Sequence, residues 1–131
     1  MNFLYWSKTF FEKVLKGFVS GDLDNVKGYI KPSVLKSFKT AINDRNKESE
    51  TLIIDLKSFE ENKISSSIIT NTTIKISVVF ETLQVKALMD KKEKIIDGDA
   101  NNEVLVKDEW VFEKKINDQN NNWILIETKS F

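Results

Sequence analysis

In the segment VKDEWVFEKK, residues 106–115, four different chemistries occupy every second position: Asp108, Trp110, Phe112 and Lys114. A spacing of two is the period of a β-strand, so these side chains share one face, which Val106 and Ile116 extend. Its apolar members turn that face inward, and Asp108 becomes the residue to explain. An inward carboxylate either finds a cationic partner, for which Lys114 and Arg45 are the candidates, or holds its proton with a raised pKa. Facing a pocket, it could act as a general base. Paired, it would be a polar anchor fixing sheet against helix. With no partner acid in sight the anchor is the stronger reading. Tyr29 is a possible proton donor, but at the end of a short helix it serves more simply as a plug at the core edge. If Trp110, Phe112 and Trp123 fill the interior, no pocket remains for Asp108 to serve.

A second concentration is FLYWSKTFF, residues 3–11. On a helical wheel Tyr5 and Trp6 fall off the line through Leu4, Phe11 and Leu15, which places both at or beyond the core edge. Large amphipathic aromatics beside Lys8, Lys13 and Lys16 are what an interfacial helix uses, rings at headgroup depth and lysines near anionic lipid. The alternative is that the fold itself covers them.

Other chemistries are excluded by what is missing. The 131 residues hold no cysteine and no histidine, which removes disulfides, thiolate nucleophiles, Cys/His zinc sites and imidazole acid–base catalysis. Asp97, Gly98, Asp99 and Glu103 lack the alternation of a calcium loop and read as a turn. No phosphate-binding glycine loop or nucleophile elbow is present, and neither a metal nor a cofactor is expected. Twenty basic and twenty acidic residues cancel, so nucleic acid is not an expected partner. The charge is uneven, with a mildly basic front and a mildly acidic back. No run of eighteen apolar residues occurs, and the start MNFLYWSKTFF has neither the basic region nor the apolar core of a signal peptide. The expectation is a cytosolic chain, or one preceded by an extension outside this sequence.

These residues must be positioned by two kinds of element. Residues 3–19 have the 3.6-residue period of an amphipathic helix, with Phe3, Phe10 and Val14 flanking the Leu4–Phe18 line and Glu12, Lys13 and Lys16 facing away. Gly21 then stops the helix and Asp22 caps a short second one over 23–29. Pro32 opens a third, with Leu35, Phe38, Ala41 and Ile42 as its buried stripe, running to about residue 48. After residue 50 the period falls to two. Strands are expected at 52–59 and 63–69 (or one long bent strand), then 73–89, 103–116 and 122–129, with turns at TNT, DKKEKIIDGDANN and NDQNNN. Within 73–89 the apolar parity switches at Leu83, which predicts a bulge near Glu81 and Thr82. The sum is a single α+β domain over 1–131, with helices at about 3–48 packed into a curved, roughly four-stranded antiparallel sheet at about 52–129.

Several of these stretches together resemble a known family. The break at Phe18, Gly21 and Asp22, the helix end AINDR, the Gly98-Asp99 turn, and Asp-x-Trp-x-Phe followed by Asn-Trp-x-Leu resemble, in that order and over nearly the whole chain, the Tim44-like domain. This is the C-terminal domain of a mitochondrial inner-membrane import subunit, with bacterial relatives. The family often has Arg where this chain has Lys114, which weakens a carried-over bidentate ion pair, and Asp-Pro-Asn-Trp where this one has NNNW. The resemblance implies a nuclear transport factor two-like cone with a hydrophobic pocket, and a non-enzymatic module in protein translocation or membrane-complex assembly. Its implied site is the cytoplasmic face of the bacterial inner membrane, tethered by a segment outside this sequence. The implied partners are anionic lipid, an inner-membrane protein or a hydrophobic peptide. Ketosteroid isomerases and SnoaL-like cyclases of related fold use a pocket carboxylate as base, which keeps an isomerase-like use of Asp108 as the alternative.

Overall fold

The computed structural model describes residues 2–117 and 122–131. Helix α1 (Phe3–Ser20) starts where Asn2 Oδ1 accepts the Tyr5 N–H, and ends where Gly21 takes φ +84° and returns its own N–H to Gly17 O. Only a residue tolerating the left-handed region can close a helix in this way. The chain then turns tightly. The expected second helix over 23–29 is instead a turn followed by one 3-10 turn, Lys27–Tyr29. Nine residues between Gly21 and the Lys31-Pro32 pair are too few to repay helix nucleation. Leu23, Val26 and Ile30 are nevertheless buried. Helix α2 (Pro32–Lys47) follows, with Pro32 in its first turn. Its buried residues are Ile42 and Arg45, while Leu35 and Phe38 are half-covered and Ala41 is exposed.

The remainder is one four-stranded antiparallel meander in the order β1-β2-β3-β4: β1 (Thr51–Ile69), β2 (Thr73–Met89), β3 (Ile95–Lys115) and β4 (Ile124–Ser130). The sheet does not close. β1 is a single strand, its pairing to β2 shifting register at Leu56/Ser58, Phe59/Glu61 and Ile64/Ser66. Each shift is an extra residue that bends and twists the edge. The turn before β3 is shorter than expected, because Asp90 Oδ1 accepts the N–H groups of Lys92 and Lys94. Ile95–Asn102 belong to β3. The NDQNNN turn lies mostly outside the described residues.

The bulge expected at Glu81 and Thr82 is not there. β2 pairs without interruption from Thr73 to Gln84 against β3, and the extra residue opposite Thr82 and Glu81 is Glu60, in β1. The inner face of β2 therefore runs Val78, Phe80, Thr82, Gln84, all buried, while Leu83 and Val85 lie half-covered on the outer face. The apolar parity switch in the sequence marks the point where the core face turns polar.

α1 lies in the concavity of the sheet. At one end of the cone Phe3, Trp6, Phe10, Trp110, Phe112 and Trp123 pack ring against ring, with Phe3 and Trp123 centroids 4.7 Å apart and Trp6 stacked on Phe10 at 5.2 Å. Such edge-on and offset contacts add to the apolar area they bury. Phe11 continues the cluster onto Phe80 at 4.3 Å and Trp110 at 4.7 Å. Trp6 is thus a wall of the core, correcting its expected place at the surface beside Tyr5. Three residues after Phe3 and four before Phe10, the Trp6 indole shares their helical face and stacks on Phe10.

Candidate functional site

Beyond Trp110 the cone opens. The second half of α1 and the middle of α2 stand off from the sheet and leave a cavity of about 470 Å³. Its helical side presents Phe11, Val14, Leu15, Phe18, Phe38 and Ala41, with Ser37 supplying a hydroxyl that donates to Ser33 O within α2. Its sheet side is mixed: Gln84 and Lys86 from β2, Asp108 from β3, and Thr128 and Ser130 from β4 stand among apolar residues such as Ile54, Leu105 and Val106. Pairing puts these in one place: Asp108 is opposite both Phe80 and Ser130, and Trp110 is opposite Thr128. A floor that carries a cluster of polar groups faces a mostly apolar roof.

Asp108 has neither expected partner. It accepts a hydrogen bond from Ser130 Oγ at 2.9 Å. Burial raises its pKa above the ordinary 3.8, opposed by the Ser130 bond and more weakly by the charge of Lys86. Desolvation wins because one hydroxyl and a distant ammonium do not replace the lost water. Lys114 stands instead at the closed end, its Nζ 5.6 Å from the centroid of Trp123. Arg45 is 8% exposed and sends Nη2 to Phe18 O (2.9 Å) and Val19 O (3.2 Å), the last carbonyls of α1. Of the six residues expected around a pocket, the structure brings only Asp108 and Trp110 to the cavity. Phe112 and Trp123 complete the aromatic end.

Sequence reasoning missed Gln84, Lys86, Thr128 and Ser130. Gln84 is 2% exposed and its Nε2 donates to Thr82 Oγ1 at 2.8 Å. A Thr and a Gln at inward positions between Phe80 and Ala87 were the available signal.

On the outside, Tyr5 is 71% exposed and Lys13 and Lys16 are exposed on the same helix, whereas Lys8 is half-covered with its Nζ 4.8 Å over the Phe59 ring. A groove of about 450 Å³ runs between α1 and β1 past Lys16 and Lys57. Tyr29 sits edge-on to Phe10 at the rim of the core. The Asp97–Asp99 segment is strand, and Asp99 spends its carboxylate on the Asn101 N–H and Asn102 Nδ2, bonds that hold its pKa below the usual range. Among the described residues no helix is long and apolar enough to cross a membrane.

Two helices laid into an open, curved four-stranded meander with a cavity at the wide end define a cone-shaped α+β domain. The family model of the Tim44-like domain matches residues 1–130, and the chain belongs to that family. Among solved structures it is similar to the intermembrane space region of chloroplast protein ARC6, with a TM-score of 0.58 and 9% identity over 100% of this chain and 98% of that one. At that identity the likeness concerns the fold. No curated protein sequence matches the chain.

Proposed function

We propose that this domain is a non-enzymatic interaction module working at a membrane, in protein translocation or the assembly of membrane complexes, at the cytoplasmic face of a bacterial inner membrane. The observation that carries the reading is the family match over residues 1–130. The similar region of ARC6 lies in an intermembrane space, which agrees with a membrane setting. Tyr5, Lys13 and Lys16 on the exposed side of α1 supply an aromatic ring and two cations for anionic lipid or a membrane protein. The cavity behind Trp110 would take a lipid or peptide side group.

Co-sedimentation with cardiolipin-containing vesicles tests the membrane part. Binding at low salt is expected, weakened by added salt and by the combined change Tyr5→Ser, Lys13→Glu and Lys16→Glu. No binding by the unmodified chain at low salt would sink it.

The second reading is an isomerase-like use of Asp108, favoured by one observation: the cavity reaches a carboxylate and an amine, Lys86, together. It requires ketone substrates to exchange α-protons with heavy water in the presence of the protein, and Asp108→Asn to abolish that exchange.

A further inference from the structure

We infer that the cavity is built for a small, uncharged, mainly apolar molecule with hydroxyl or carbonyl groups gathered on one side. The inference rests on the cavity being a binding site, as in the function proposed above, and adds the chemistry of its occupant.

The two walls set the terms. An occupant meets mostly hydrocarbon from α1 and α2, where the Ser37 hydroxyl is already bonded to Ser33 O, so its helix-facing side gains by being apolar. Its sheet-facing side meets donors and acceptors mixed within one patch: the Asp108 carboxylate, the Lys86 ammonium, the Gln84 amide and the hydroxyls of Thr128 and Ser130. Gln84 is the informative member. Its nitrogen bonds Thr82, and its oxygen, used by no hydrogen bond among the described residues, is not a buried unpartnered atom but stays accessible, where a ligand hydroxyl can donate to it. Lining the same patch with Val or Leu would have continued the Val78–Phe80 face and kept the core dry, so the polar residues are not explained by packing.

Charge balance then decides what kind of polar group fits. Asp108 and Lys86 share the floor with opposite signs. A phosphate or carboxylate would gain from Lys86 and be repelled by Asp108, and an ammonium would meet the reverse. Either must also shed water to enter. Neutral hydroxyl and carbonyl groups can donate to Asp108 and accept from Lys86 with neither cost. The volume of about 470 Å³ lies within the range of roughly 300–1,000 Å³ for small-molecule sites.

Calorimetric titration with three amphiphiles of equal chain length tests this: monododecanoylglycerol, dodecyl phosphate and dodecylamine, each below its micellar concentration. The uncharged compound should bind roughly tenfold or more tighter than either charged one, a difference of about 1.4 kcal/mol. Single changes in the floor should move the charged probes in opposite directions. Asp108→Asn leaves the floor net positive and raises affinity for dodecyl phosphate, and Lys86→Gln leaves it net negative and raises affinity for dodecylamine. Ala41→Trp, introduced at an exposed helical position that lines the cavity, should block all three. Equal binding of the three probes, or no reciprocal swing in the two charge variants, overturns the inference and leaves the cavity reading standing. If none of the three binds, the cavity reading itself falls and the inference with it, whatever the vesicle experiment shows.

Discussion

Arg45, the chain's one arginine, holds the two helices together. From α2 it reaches the carbonyl oxygens of Phe18 and Val19, which the end of α1 leaves without helical partners, and its guanidinium carbon lies 5.4 Å from the centroid of the Phe18 ring. A flat, fixed fork of donors can serve two adjacent carbonyls while stacking on a ring, and a lysine ammonium cannot do both. Arg45→Lys should therefore cost about 1–2 kcal/mol despite keeping the charge, and Arg45→Leu about 2–3 kcal/mol because both part-buried carbonyls then lose this partner. Urea unfolding midpoints check both, and equal stability of the Lys variant would refute the stacking and fork argument. Asp108 gives a prediction of opposite sign. Its folded pKa lies above the ordinary 3.8, so between those two values the native state binds more protons than the unfolded chain. Stability is then gained as pH falls through this window and lost as pH rises through the folded pKa. Asp108→Asn keeps an acceptor for Ser130 and removes the buried charge. Its melting temperature should exceed that of the unmodified chain at neutral pH, and the two should converge below about pH 4, where both side chains are neutral. A variant less stable at neutral pH would mean that the ionised carboxylate has a strong partner after all.

At the scale of elements, two glycines with nearly the same backbone angle separate conformational freedom from space. Gly21, at φ +84°, ends α1, and a Cβ there would find Ile42 at an ordinary 3.6 Å. Gly98, at φ +80°, sits opposite Ala87 in the β2–β3 ladder, and a Cβ there would lie 2.2 Å from Lys86 O. Gly21→Ala should cost about 1–2 kcal/mol, the left-handed penalty alone. Gly98→Ala adds a clash with backbone and should cost more, with chemical-shift changes along β2 from Lys86 to Leu88 that the Gly21 variant lacks. Costs that match, with β2 undisturbed, would show that β3 can shift to make room. Gly21 was legible in the sequence as a break, and so were the limits of α1, α2 and β2, because caps and period are local signals, whereas Gly98 was read as a turn and lies within β3. The pairing of strands was less legible. Period-2 reasoning sends apolar residues inward, so Leu83 and Val85 implied a bulge at Glu81 and Thr82, whereas β2 keeps its register with β3 as far as Gln84, turns Thr82 and Gln84 inward, and first shifts register at Val85. A core face that becomes polar at a cavity looks, in sequence alone, like a strand that has slipped. For the same reason Asp108 was found while Lys86 and Ser130 were not: Asp108 lies in an apolar frame, and the others gain meaning only once three strands are set side by side.

For the whole molecule, the cone has a closed end and an open end, and they should respond differently to the same kind of change. Phe112 is fully buried, with the rings of Phe3, Trp6, Phe10 and Trp110 all within 6.4 Å of its centroid. Removing it leaves a void that stiff aromatic neighbours cannot collapse into. Phe112→Ala should cost about 3–5 kcal/mol, a large part of the roughly 5–15 kcal/mol that holds a domain of this size together. Phe38, on α2, meets the Phe18 ring edge-on at 6.0 Å and also lines the cavity. Its loss enlarges an existing space rather than creating one, so Phe38→Ala should cost only the lost burial of a half-covered ring, about 1–2 kcal/mol. Amide exchange should follow the same division: slowest at Ile76–Phe80 and Trp110–Phe112 beneath α1, faster at Val104–Val106 and in α2, where few contacts oppose local opening. Unfolding midpoints for the two alanine variants, read with exchange rates on the unmodified chain, test both statements. If the two substitutions cost the same, the open end is as tightly packed as the closed one, and the space behind Trp110 is not available to any ligand without a prior movement of α2.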